Sequence, residues 1–358
     1  MKNFKSFYLI LLLILIILVN CSQHIYTNRI TVKDNRYDSE FPIRNASTEL
    51  AQISRSVKKI ISTAYYVNYF FNTNDSLTIE DLPKINFSLQ PESKIYFTNS
   101  ASGTATLISK LENRFLFITC AHILNFPDTL VYFKATEDGR EGTIINNVAI
   151  KIRQSNFIPE LGDVAVLAGD TNLDIALVGF VYEKSMTSKN LMIDNFHPLR
   201  VPIGNSDQLE WGNFIYLIGF PKGIKMITRA IVSKPEQGSQ NKIITDALFN
   251  SGSSGAVALA IRDGVPNFEL VGIGSSVSAE EHIYLAPEPF IKWDPTANYE
   301  GKMFVKKKRL VNYGVTFVVP INEITKFILK NENILERGGY NIFEFKKLMW
   351  ETSKQEKE

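Results

Sequence analysis

From about residue 94 the apolar positions fall into short, β-rich runs separated by Gly, Asn, Asp and Pro. The runs are 94–98, 103–109, 114–119, 130–134, 147–152, 163–168 and 174–180, then 213–218, 226–232, 242–247, 256–261, 269–274 and 314–319. Many short strands with turn residues between them predict an all-β antiparallel barrel or sandwich. No βαβ alternation appears, which excludes a doubly wound sheet. Upstream, Leu50, Ile53, Val57 and Ile60/Ile61 recur at helical spacing and predict a helix over 48–61. Residues 63–71 are aromatic and predict a strand, and 72–93 are rich in turn residues. Ile321, Ile324, Phe327 and Ile328 share one helical face, which predicts a C-terminal helix over 321–333. Residues 276–312 break the strand rhythm with Pro287, Pro289 and Pro295 and carry the basic run Lys306–Arg309. They read as a long surface loop, the basic run as a solvated face.

The first twenty residues have a different pattern. MKNFK is a short positive start, and Ser6–Val19 is almost wholly apolar. That is the layout of an export signal, and the run is short for a bilayer span. Leu18-Val19-Asn20-Cys21 resembles a lipoprotein signal, which implies lipidation of Cys21. Asn20 departs from the small residue usual before that cysteine, and an uncleaved short anchor is the alternative. Either way the expected setting is the bacterial cell envelope: outside the cytoplasm, membrane-anchored, periplasmic or surface-exposed. The organisation expected is signal 1–20, tether 21–47, helix/strand extension 48–93, β domain 94–330 with a loop insertion at about 276–312, and C-terminal extension 331–358.

Composition narrows the function classes. The 358 residues are 45% hydrophobic and 21% charged, a globular balance. Net charge is +2, carried by Lys2 and Lys5 of the leader, so the body has no global drive toward nucleic acid. Two cysteines, Cys21 and Cys120, make no disulfide framework. Cys120 reads as a small buried hydrophobe. His24, His197 and His282 lack metal-ligand spacing, and no glycine-rich phosphate loop occurs. No cofactor or metal is expected.

Three loops hold candidate chemistry. Phe117-Ile118-Thr119-Cys120-Ala121-His122 ends a strand on an imidazole. Leu173-Asp174-Ile175-Ala176-Leu177 opens a strand on a carboxylate, with Asp163 as a neighbouring rival. Asn250-Ser251-Gly252-Ser253-Ser254-Gly255 is a polar, glycine-lined turn. Acyl transfer by serine needs a hydroxyl, an imidazole base and a carboxylate that orients the base. Ser254, His122 and Asp174 can supply them, with Ser251 and Ser253 as weaker candidates for the hydroxyl. The N–H groups of Gly252 and Ser254 would serve a developing oxyanion.

These loops resemble the trypsin-like serine peptidase domain of the HtrA/Deg type. Six pieces carry the resemblance in order: Ser102-Gly103-Thr104-Ala105, Thr119-Cys120-Ala121-His122, Leu173–Leu177, residues 202–223, residues 245–256 and residues 314–322. The resemblance implies a trypsin-like double six-stranded antiparallel β-barrel with a C-terminal helix. The peptide-binding module that follows this domain in Deg proteins does not fit the 30 residues after 328, so none is expected there. It implies a serine endopeptidase acting on polypeptides through an acyl-enzyme, with His122, Asp174 and Ser254 as the triad. It also implies a primary pocket with Leu248 at its base, and a substrate-pairing edge at Gly274–Ser276. Residues 48–71 are left either to form an oligomer or to pack on their own barrel. Ser251, Ser253, Ala256 and Val257 depart from the family pattern. They keep open a catalytically inactive relative that binds proteins or acts as a surface adhesin. An esterase on the same residues lacks the Gly-x-Ser-x-Gly elbow.

Overall fold

The computed structural model describes residues 33–355 apart from 43, 89, 137–140, 183–194, 236–241, 288–295 and 302. The chain divides into Met1–Asp34 and Asn35–Glu358, and the architecture below is that of the second unit. The export signal and Cys21 lie outside the described residues. Among the described residues no helix is long and apolar enough to cross a membrane. The lipoprotein reading of Leu18–Cys21 finds no support among the described residues, since Cys21 lies outside them.

Helix α1 (Ser47–Ser54) leads into strand β1 (Val57–Phe70). The helical spacing over 48–61 thus overshoots: Val57–Ile61 are strand. Strand β1 pairs on one side with β2 (Ser93–Leu111) and on the other with β5 (Glu141–Ile158). Its first apolar positions, Val57, Ile60 and Ile61, are spaced as in a helix, although burial alternates from Ile60 to Tyr66 as in a strand. These three β-branched residues suit a strand.

The first sheet is completed by β3 (Arg114–Thr119), β4 (Thr129–Ala135), β6 (Gly162–Asp163), β7 (Ala165–Asp170) and β8 (Ile175–Val181). Its order is β4-β5-β1-β2-β3-β8-β7, with β6 paired to β5. The second sheet contains β9 (Phe214–Gly219), β10 (Met226–Lys234), β11 (Ile243–Thr245), β12 (Val257–Ile261), β13 (Phe268–Pro287) and β14 (Met303–Pro320). These six close into a barrel, β10-β11-β14-β13-β12-β9. The expected pair of six-stranded barrels is therefore corrected. One barrel is six-stranded and closed, and the other sheet is an open, eight-stranded one. The physical reason lies in residues 57–70: read as part of an extension, they enter the sheet as an interior strand between β5 and β2.

The stretch expected as a loop at 276–312 is also corrected. Its described parts are the outer halves of β13 and β14, paired from Val277↔Thr316 out to Pro287↔Met303. Helix α2 (Ile321–Lys330) follows β14 directly and buries Ile321, Ile324, Phe327 and Ile328, the face read from the sequence. Each such side chain contributes about 1.5–3 kcal/mol by leaving water. Helices α3 (Glu332–Arg337) and α4 (Phe343–Gln355) complete the chain. One hydrophobic cluster joins Ile60, Leu107 and Phe117 of the first sheet to Ile218, Val257 and Ile273 of the barrel and to Ile324 of α2.

A second tie is polar. Arg262 and Glu269, both nearly inaccessible, meet at 2.9 Å. Tyr37 donates to Glu269 Oε2 at 2.7 Å, and the Arg262 guanidinium lies 4.1 Å from the Tyr37 ring centre. Arg262 also donates to the carbonyl of Asn35 and to Gln208 Oε1. Burial, then the neighbouring Glu269 charge, pushes the Tyr37 phenol far up. The group fastens residues 35–38 to the β12–β13 hairpin.

Candidate active site

The three chemical loops converge where the two sheets meet. His122 sits in a single 3₁₀ turn, Ala121–Ile123, directly after β3. Buried Ile123 anchors the turn, while the His122 side chain is 48% exposed. Asp174 closes the turn before β8 with φ +63°, a left-handed conformation that Asp tolerates better than most residues. The Asp170 carboxylate holds that turn by accepting from the N–H groups of Asn172 and Leu173 at 2.9 Å each. Ser254 stands in the turn before β12. That turn needs glycine on either side of Ser253-Ser254: Gly252 has φ +98° and Gly255 φ +89°. A Cβ at Gly255 would come within 1.9 Å of the Thr104 carbonyl oxygen.

The structure brings Ser254, His122 and Asp174 together. His122 Nε2 lies 3.0 Å from Ser254 Oγ. His122 Nδ1 lies 2.9 Å from each Asp174 oxygen, and the His122 backbone N–H donates to Asp174 Oδ1 at 3.0 Å. Ser275 donates to Asp174 Oδ2 at 2.6 Å. Burial alone would raise the Asp174 pKa. The hydrogen bonds from His122 and Ser275 outweigh it and hold the carboxyl below the usual carboxylate range. Hydroxyl, imidazole and carboxylate thus form a continuous hydrogen-bonded line, the order along which a proton moves in acyl transfer by serine.

The rival residues are placed elsewhere. Asp163 accepts from Ser155 Oγ at 2.9 Å. Ser253 is buried and is bonded to Asn250 through its own N–H and hydroxyl, and Ser251 is exposed. Ala256, a departure from the family pattern, is accommodated by a glycine on the neighbouring strand β9: a Cβ at Gly219 would come within 2.8 Å of its Cβ. Leu248, read as the base of a primary pocket, is 65% exposed. The next residue, Phe249, is buried and stacks against Gly274, where a Cβ would meet its ring at 2.7 Å.

Cys120 goes beyond the role read from the sequence. It is buried and free, as a core residue would be. Its Sγ nonetheless bonds the Gly274 carbonyl at 3.3 Å and feels the nearby Asp174 charge. Donor atoms of Cys120, His122 and Asp174 all lie within 4.8 Å of one another, a grouping of the size that can hold a metal ion. A metal needs the thiolate. Burial and the Asp174 charge push the Cys120 thiol well up, which opposes that use. The thiol lies on the carboxylate side of the group, and Ser254 is the side chain bonded to His122 Nε2.

Two residues missed in the sequence complete the site. Ser275 lies within the stretch read only as a pairing edge. Thr104 lies in the motif Ser102–Ala105, and its hydroxyl donates to the Gly252 carbonyl at 2.9 Å and accepts from the Phe220 N–H at 3.0 Å. Its own N–H donates to the Ser254 carbonyl at 2.7 Å.

Comparison with known proteins agrees with this location. The pattern of the trypsin-like peptidase domain matches residues 103–273, which contain His122, Asp174 and Ser254. No curated protein matches the chain. Among solved structures, the chain is similar to the serine endoprotease from Yersinia pestis. That likeness has 16% identity, covers 84% of this chain and 69% of that one, and has a TM-score of 0.39.

Proposed function

We propose that the chain is an extracytoplasmic polypeptide-binding protein on a trypsin-like, Deg-type frame. It takes up an extended segment of polypeptide in the cleft beside Ser254. The observation that carries the reading is the position of Gly274–Ser276. Gly274 is bonded to Gly255 and Ala256 on either side of the Ser254 turn's exit, and the strand then runs on past the site with one edge unpaired among the described residues. An unpaired strand edge beside polar, accessible side chains is a binding place for extended backbone. The charged start and apolar run of residues 1–19 support the extracytoplasmic setting.

The serine endopeptidase implied by the sequence pattern is corrected to this coarser statement. The pattern implies His122 and Asp174 serving Ser254, with Cys120 as a core residue. The structure gathers the buried Cys120 thiol with His122 and Asp174 in one cluster. The turn around Ser254 also carries Ser251, Ser253, Ala256 and Val257, and the serine's line of hydrogen bonds is not itself turnover. The function stated is therefore capture of polypeptide.

Fluorescence anisotropy with labelled, unstructured peptides tests it. Saturable binding is expected, and Ser276→Pro, which removes a backbone donor from β13 beside the site, should weaken it. Folded protein that binds no such peptide overturns the proposal. Labelling by a fluorophosphonate that depends on Ser254, together with cleavage of the bound peptide, would reverse the correction and restore hydrolysis.

A further inference from the structure

The two outer edges of the β13–β14 ribbon are unlike. Strand β12 pairs with β13 only from Phe268 to Ile273, and its chain then leaves toward Ser254. Among the described residues no strand pairs with that side of β13 beyond this point. Its other side stays paired to β14 as far as Pro287↔Met303. The outer edge of β14 carries four consecutive cations, Lys306, Lys307, Lys308 and Arg309. Consecutive lysines are a common means of blocking further strand pairing. The β13 edge instead reads His282-Ile283-Tyr284-Leu285, with Ile283 69% and Leu285 63% exposed. It is β-prone, apolar and unblocked, and it is continuous with the edge at Ser275–Ser276 beside Ser254.

We infer that this ribbon edge lengthens the polypeptide-binding site, so that its ligand is an apolar, β-prone segment of about ten residues paired as an added strand along Ser276–Leu285. The inference rests on the function proposed above and specifies its ligand. At about 3.4 Å per residue the edge offers roughly 30 Å of backbone. A lone two-stranded ribbon is marginal in water, and a third strand satisfies its open N–H and C=O groups. Side-chain alternation defines the composition. Ile283 and Leu285 lie on one face with their partners Lys307 and Val305, and His282 and Tyr284 on the other with Lys308 and Lys306. Valine, isoleucine, threonine or aromatic residues opposite this stretch pair best. Nearer the site, Glu280 and Glu281 disfavour acids opposite them, and proline anywhere in the paired stretch removes a donor.

The test is a length series of Val/Thr/Tyr peptides, from about four to about ten residues, titrated against the full chain by anisotropy. Affinity should rise at least tenfold across the series and then level off. In Ile283→Lys/Leu285→Lys, two exposed changes that copy the block on β14, binding of the shortest peptide should persist and the gain with length should vanish. A gain that survives the double lysine change overturns the inference. Equal affinity at all lengths overturns it and leaves the proposed function standing, whereas binding of no peptide overturns both. Loss of oligomeric mass in the double variant without any length dependence would assign the edge to a second copy of the chain and also overturn it.

Discussion

Thr104→Val tests whether one hydroxyl holds the Ser254 turn against the first sheet. Thr104 is fully buried, and valine keeps its shape. The change leaves the Gly252 carbonyl without its 2.9 Å donor and the Phe220 N–H without its 3.0 Å acceptor. Each orphaned buried group costs about 1–3 kcal/mol, and the relief of no longer burying a hydroxyl returns roughly 1–2 kcal/mol. A net loss of about 2–3 kcal/mol is expected. Thr104→Ser keeps both bonds and loses a methyl, so about 1 kcal/mol is expected there. Urea unfolding at neutral pH, extrapolated linearly, measures both. Peptide affinity should fall with the valine variant and hold with serine, because Gly252 precedes the turn's side chains by one and two residues. A valine cost below about 1 kcal/mol, or a serine variant as unstable as valine, would refute the reasoning.

Three further outcomes follow from other parts of the structure. Glu269→Gln should cost about 3 kcal/mol, because it leaves the Arg262 charge buried without its partner, and the double variant Arg262→Met/Glu269→Leu should regain most of that in the same unfolding assay. If the double variant is no better than the single, the ion pair itself is the source of the stability. Gly255→Ala forces φ +89° on alanine and sets its Cβ 1.9 Å from a backbone oxygen, so more than about 3 kcal/mol should be lost; a near-native unfolding midpoint would count against the turn as described. Asp174 has a depressed folded pKa, so its stabilising share is full above the ordinary carboxylate value of about 3.9 and is lost as pH falls through the lower folded value. The advantage of the natural protein over Asp174→Asn should therefore shrink as unfolding is measured at increasingly acid pH, and an advantage that grows would contradict the assignment.

The fold was legible where burial is one-sided or a turn residue marks the end of a run. The predicted strands at 114–119, 213–218 and 256–261 agree with β3, β9 and β12 to within a residue. The face of α2 was legible because Ile321, Ile324, Phe327 and Ile328 meet only one partner surface. Reading failed at Val57–Ile61, where the start of a strand paired with β2 carries its apolar residues at helical spacing. It failed again at 276–312, where a ribbon exposed on both faces has no buried side to impose alternation, and its prolines and lysines look like loop. The Tyr37–Arg262–Glu269 group left no local trace, since Tyr37 and Glu269 are 232 residues apart.

At the site, the sequence revealed residues whose chemistry is unusual for their position and concealed those whose chemistry is ordinary. An imidazole at a strand end, an acid at a strand start and a serine between glycines each stand out against apolar neighbours, and His122, Asp174 and Ser254 were found that way. Thr104, Ser275 and Cys120 belong to runs that an ordinary β-strand would also contain. Only their partners distinguish them: a carbonyl 148 residues away for Thr104, and Asp174, 101 residues away, for Ser275. Cys120 shows the consequence most plainly. Its burial was legible and remains correct, yet burial beside Asp174 is also what makes it part of the cluster. A core thiol and a member of the polar site are here the same atom, because the carboxylate that orients His122 must itself be sheltered from water to hold its hydrogen bonds, and the shelter is built from whatever β3 presents at its end.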